Sequence, residues 1–120
     1  MTKPLAVITG ASSGIGEATA KAFSNAGYPT LLLARRIEIM ESFNLKNSIC
    51  KKIDVRDRDA LVSAIREAEK QYGPTDMMFN NAGVARLADI TTQDPSEWDE
   101  MIDVNTKGVM NGIYAVMKDM

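Results

Sequence analysis

Three observations predict an α/β fold with an open, doubly wound parallel sheet for this chain of 120 residues. Apolar runs alternate with amphipathic stretches in the order β-α-β-α-β-α-β and then helices. That order calls for a parallel sheet with right-handed crossovers and helices on both faces. The first run, Leu5 to Ile8, is continuously apolar rather than alternating, as a strand buried on both faces requires. It leads directly into Gly10-Ala11-Ser12-Ser13-Gly14-Ile15-Gly16, a glycine-rich turn that enters a helical pattern at Ile15.

Each glycine of this turn can take φ > 0 or admit another backbone at close range. Thr9, Ser12 and Ser13 add hydroxyls and free N–H groups at a helix N-terminus, where unpaired donors and the dipole favour an anion. With a strand before it and a helix after it, the turn reads as a pyrophosphate cradle rather than a ligand-free tight turn.

The following elements are punctuated by their own caps. A helix over 15–26 places Ile15, Ala18, Thr19, Ala22, Phe23 and Ala26 on one face, and Gly27 and Pro29 end it. Residues 30–34, with three consecutive leucines, form the second strand, and a short helical stretch then ends near Phe43. A third strand is expected over 48–53. Asp57 caps a helix over 58–72 whose core stripe is Leu61, Ile65, Ala68 and Tyr72, with Glu67 and Lys70 pairing on the wet side. Gly73-Pro74 stops it, and a fourth strand over 76–80 buries Met77, Met78 and Phe79. After a loose segment, Asp94 and Pro95 open a helix carrying Trp98, Met101 and Ile102, and a last helix covers 106–120. On that helix Val109, Ile113 and Val116 mark one apolar stripe, and Met110, Tyr114 and Met117 another.

Composition narrows the function classes. The net charge is −2, with 14 basic and 16 acidic residues, so neither a nucleic-acid nor a membrane-surface partner is indicated. The absence of histidine removes histidine triads and histidine metal ligands, and no metal site is expected. The single cysteine, Cys50, sits in a strand pattern and reads as a buried, inert thiol. Only Met1 to Pro4 precede the first strand, and no apolar run approaches a membrane span, so a cytoplasmic protein built as one domain over 1–120 is expected.

The strand ends carry the candidate chemistry. Arg35 lies 19 residues beyond Gly16, near the offset of about 20 residues at which such folds meet the adenosine ribose. An acid there would accept from the ribose hydroxyls and repel a 2′-phosphate. Residues 34–36 contain no acid, and Arg35 and Arg36 offer two guanidiniums to a phosphate instead. Asp54 ends the third strand, where its carboxylate could meet an adenine amine or equally cap the next turn. Asn80-Asn81-Ala82-Gly83 ends the fourth, beside the crevice where open α/β sheets bind ligands; its amides could contact the ligand, tie neighbouring backbones together, or both.

These landmarks together resemble the N-terminal half of the short-chain dehydrogenase/reductase family of Rossmann-fold oxidoreductases. The shared residues are Thr9 to Gly16, Asp54-Val55, Asn80-Asn81-Ala82-Gly83, and Asn105 within Asp103-Val104-Asn105-Thr106-Lys107-Gly108. The resemblance implies an incomplete Rossmann-type sheet of about four strands, ordered 3-2-1-4. It implies that Gly10, Ser12, Ser13, Gly14, Ile15 and Gly16 hold the phosphates of a nicotinamide dinucleotide. It assigns Asp54 and Val55 to the adenine, and Asn81, Ala82 and Gly83 to the riboses and the sheet. Asn105 matches the asparagine of the family's Asn-Ser-Tyr-Lys set, whose backbone supports a proton-relay water. The activity implied is hydride transfer between NADP(H), preferred over NAD(H) through Arg35 and Arg36, and a small carbonyl or alcohol, in a parent that forms homo-oligomers.

The match stops short of the family's serine, tyrosine and lysine. Tyr114-Ala115-Val116-Met117-Lys118 fits Y-x-x-x-K as a string, but it begins nine residues after Asn105 in one helix with no strand between. It is not taken as the catalytic pair, and the chain alone is expected to be inactive. A non-catalytic dinucleotide-binding module is the alternative function. An S-adenosylmethionine-binding domain would share the fold but not the asparagine motifs.

Overall fold

A computed structural model describes residues 3–118 and 120 of the chain. Its strands β1 (Leu5–Thr9), β2 (Thr30–Ala34), β3 (Ser48–Lys52) and β4 (Thr75–Phe79) form one parallel sheet in the order β3-β2-β1-β4. The helices are α1 (Gly14–Asn25), α2 (Ile37–Glu41), α3 (Arg58–Tyr72), α4 (Pro95–Ile102) and α5 (Gly108–Val116). A π-helical turn, Asp103–Lys107, joins the last two without a break. Asp119, near the end of the expected last helix, lies outside the described residues.

All five residues of β1 and of β2 are buried, as their continuous apolar runs require. Leu5, Val7, Leu31 and Leu33 face Leu61, Ile65 and Ala68 of α3 and Ala115 and Val116 of α5. Ile8 and Leu32 face the opposite layer, with Ala20 of α1 and Met40 of α2. The outer strands differ. Met77, Met78 and Phe79 are half-buried, not buried as expected, because β4 is an edge strand among the described residues. Cys50, on the other edge, is also half-buried; desolvation pushes its thiol pKa up, with Glu41 reinforcing the shift.

The caps match the sequence. The Asp57 carboxylate accepts from the Ala60 N–H at 3.1 Å, and Asp94 accepts from the Ser96 N–H at 2.8 Å. Gly73 ends α3 with φ of 87°.

Two helix faces do not match. On α1 the sheet-facing residues are Gly16 and Ala20, while Ile15 is 77% exposed. On α5 the buried residues are Gly108, Asn111, Gly112, Ala115 and Val116, so Ile113 stands outside beside Met110, Tyr114 and Met117. In both cases glycines face inward where a Cβ would collide, Gly16 against Gly10, and Gly108 and Gly112 against Val55 and Asn80, while Val116 of the expected stripe is buried. Glu67 pairs with Lys51 of β3 at 3.2 Å, across the layer, rather than with Lys70 along its own helix.

Candidate functional site

A cleft of about 420 Å³ opens at the carboxyl ends of the strands, where chain order reverses between β1 and β4. One wall is the β1–α1 turn. Gly10 has φ of +63°, and a Cβ there would lie 2.8 Å from the Cα of Ala82, so both conformation and space call for glycine. A Cβ on Gly16 would overlap the Gly10 carbonyl oxygen; this glycine seats the first turn of α1 on the loop. Gly14, at φ +55°, has open space beside it. The Ser13 hydroxyl makes no capping bond to the helix; Ser12 and Ser13 line the cleft, whereas Gly14, Ile15 and Gly16 are not among its lining residues.

The β4 end is bolted to this turn. The buried Thr9 hydroxyl accepts from the N–H groups of Asn81 and Ala82, both at 2.9 Å, and donates to the Phe79 carbonyl at 3.3 Å. Asn81 Nδ2 donates to the Gly10 carbonyl at 3.3 Å. The backbone-tying role of the asparagine motif is therefore present. Ser12, Ser13, Asn81, Ala82, Gly83 and Val84 all line the cleft. Asn80 turns away, towards Gly112 of α5, and its buried Oδ1 has no hydrogen-bond partner among the described residues.

Asn105 sits at the centre of the π-helical turn. Its Oδ1 accepts from the Val84 N–H at 2.8 Å and its Nδ2 donates to the Val84 carbonyl at 2.7 Å. Both ends of the amide are thus used to hold the segment after Gly83 against the helix.

The far wall is ionic. Arg35, Arg36, Asp54 and Val55 line it, and Arg36 is the residue that opens α2. Arg56, which sequence reasoning passed over, clamps the Asp54 carboxylate. Its Nη2 lies 2.6 Å from Oδ2 and its Nε 3.0 Å from Oδ1, while its backbone N–H donates to Oδ1 at 3.0 Å. The Arg35 guanidinium stands 3.6 Å from the same Oδ2. Hydrogen bonds from the Arg56 side chain, reinforced by its N–H and by the charges of Arg56 and Arg35 and opposed by desolvation, hold the Asp54 pKa down at about 2. Asp54 therefore caps the turn that follows it, with both carboxylate oxygens engaged by Arg56.

Asn111 was also missed. It is buried on α5, donates to the Val55 carbonyl at 2.8 Å and accepts from Arg58 Nε at 2.9 Å, fixing the loop that carries Asp54. A lone polar residue among the small residues of that helix is the signal that could have revealed it. Tyr114 is not among the residues lining the cleft; it is half-exposed, with the Arg58 guanidinium 5.6 Å above its ring.

The β1–α1 turn with Ser12 and Ser13 at one end of the cleft, and the two guanidiniums at the other, offer donors to an anionic ligand. Fold and cleft together define a Rossmann-type nucleotide-binding domain. The short chain dehydrogenase profile matches residues 4–120, and the chain belongs to that family. It is 40% identical over 117 residues to uncharacterized oxidoreductase Lmo0432 of Listeria monocytogenes, covering 92% of this chain and 47% of the relative. The structure of LigO in its apo form, from Sphingobium sp. strain SYK-6, is similar at a TM-score of 0.88 and 34% identity, over 96% of this chain and 45% of that one. Alcohol dehydrogenase from the archaeon Thermococcus sibiricus, complexed with 5-hydroxy-NADP, is similar at a TM-score of 0.88 and 29% identity, over 96% and 52%. The chain spans about half the length of the relatives it matches.

Proposed function

We propose that the protein is an NADP-dependent oxidoreductase of the short-chain type, acting on a small carbonyl or secondary alcohol, and that residues 1–120 are its cofactor-binding half. In this reading Gly10, Ser12, Ser13, Gly14, Ile15 and Gly16 take the pyrophosphate. Asn81, Ala82 and Gly83 flank the riboses, Asp54 and Val55 border the adenine, and Arg35 with Arg36 receives the 2′-phosphate. Asn105 contributes through its main chain, since its side chain is committed to Val84. When bound, the nicotinamide would donate a hydride to a carbonyl carbon or accept one from an alcohol carbon.

The observation that carries the reading is the pairing, in one cleft, of the β1–α1 turn residues Gly10, Ser12 and Ser13 with Arg35 and Arg36, and no acid at 34–36. The 5-hydroxy-NADP complex of the similar archaeal alcohol dehydrogenase is consistent with it. Titration of NADPH and NADH, at low and high salt, tests it. A charge-assisted contact to the 2′-phosphate gives roughly a 10- to 100-fold preference for NADPH, weakening with salt. Arg35→Asp should reverse the order. Equal affinities in the unaltered protein would show a merely solvated arginine pair.

A second reading, a dinucleotide-binding module without catalysis, draws on the position of Tyr114 beneath Arg58 and outside the cleft lining. It applies to a polypeptide of residues 1–120, which is expected to bind cofactor without reducing ketones. Among the described residues no helix is long and apolar enough to cross a membrane, which is compatible with a cytoplasmic location. The exposed Met110, Ile113, Tyr114 and Met117 on α5 suit self-association of the full protein.

A further inference from the structure

Asp54 is a carboxylate beside the arginine proposed to choose the cofactor. Left alone, it would neutralise that arginine. The two guanidiniums near its Oδ2 are unequal: Arg56 holds it at 2.6 Å, while Arg35 stands 3.6 Å away. Arg56 also engages Oδ1 through Nε and through its backbone N–H, each at 3.0 Å, so both carboxylate oxygens are taken from one side. Arg56 itself is not among the residues lining the cleft.

We infer that Arg56 is a positioning residue for cofactor selection: by occupying the Asp54 carboxylate it keeps Arg35 available to the 2′-phosphate. The inference rests on the reading of Arg35 given above. Its physics is competition for one acceptor. With Arg56 in place, two guanidiniums (Arg35 and Arg56) share one carboxylate, and the carboxylate is already satisfied by the nearer of them. Without the Arg56 side chain, the nearest remaining cation is Arg35, and its loose 3.6 Å ion pair with Asp54 tightens. A 2′-phosphate must then compete with Asp54 for Arg35 and also meets an unneutralised negative charge. Cofactors lacking that phosphate feel neither effect. The quantity that changes is therefore the ratio of the two affinities, and any adenine contact cancels from it.

The fold should tolerate the change. The Arg56 side chain is 41% exposed, and the bond from its backbone N–H to Asp54, which shapes the turn, survives in Arg56→Ala.

The test is titration of NADPH and NADH against the full chain for the unaltered protein, Arg56→Ala, and the double variant Asp54→Asn/Arg56→Ala. Arg56→Ala should lower the NADPH-to-NADH affinity ratio by about two- to fivefold, the range of a partly exposed ion pair. The double variant should restore the ratio, because the asparagine no longer holds Arg35; a role confined to shaping the turn gives no such rescue. A preference that survives intact in Arg56→Ala overturns this inference and leaves the Arg35 reading standing. A ratio that falls and is not restored in the double variant also overturns it, since Arg56 would then act on the phosphate directly. Equal affinities in the unaltered protein overturn both.

Discussion

At the cradle end of the cleft, Gly10, Gly16, Thr9 and the turn after β4 hold one another through backbone contacts and one buried hydroxyl. At the opposite end Arg35, Arg36, Asp54 and Arg56 meet through partly exposed charged side chains. The first end has no room for variation, because main chain lies against main chain. The second can change partners without disturbing the sheet. Affinity for any dinucleotide should therefore depend on the cradle, and choice between dinucleotides on the arginine wall.

The largest effect is expected at Gly16. A Cβ there overlaps the Gly10 carbonyl, so Gly16→Val should cost about 3 kcal/mol or more of stability and abolish binding of both cofactors. Thermal melts and titrations check this; a variant that melts normally and still binds would mean that the turn is looser than its contacts imply. Gly14→Ala is the control. It meets open space and pays only the left-handed conformation, about 1–2 kcal/mol.

Thr9→Val keeps shape but strands the N–H groups of Asn81 and Ala82. A loss of about 1–3 kcal/mol is expected, with NADPH and NADH weakened alike. A selective loss of one cofactor would erase the distinction between the two ends.

On the arginine wall the signs invert. Arg35→Ala should leave stability within about 0.5 kcal/mol while reducing the NADPH preference, as chemical denaturation and titration together would show. A large destabilisation would mean that Arg35 is structural.

The smallest effect is on acid stability. The folded pKa of Asp54, about 2, lies below its ordinary value of about 3.9, so its stabilisation is present at neutral pH and is lost as pH falls from about 4 towards 2. The group is one-third exposed and screened, which limits the contribution to about 1 kcal/mol or less. The gap between the unaltered protein and Asp54→Asn should be constant above pH of about 5 and close on acidification. A gap that persists at pH of about 2 would point to lost packing instead.

The cradle and the central strands were legible in the sequence because their causes are local. Leu5 to Ile8 and Leu31 to Leu33 are apolar without interruption, and glycines mark the turn. The inward faces of α1 and α5 were not legible. Hydrophobic spacing favours the larger residues, such as Ile15 and Ile113, whereas close approach selected Gly16, Ala20, Gly108 and Ala115. The strand-edge exposure of Met77 to Phe79 depends on pairing, which no window of sequence contains. Arg56 clasps a carboxylate two residues away through a loop conformation that periodicity does not describe. Asn111 acts across 56 residues on the Val55 carbonyl.

The π-helical turn between α4 and α5 has the effect of an inserted letter in a repeating text. Gly108 donates to the Asp103 carbonyl, five residues back instead of four. A wide turn of this kind shifts everything after it by one residue of helical phase, about 100° of rotation. Asn111 meets the Val55 carbonyl because of that shift. Removing one residue from 103–107 to regularise the helix would turn the α5 face away from the adenine-side loop while leaving every side chain of α5 in the sequence. The helix is thus read in a frame set upstream, at the same five residues that hold Asn105 against Val84.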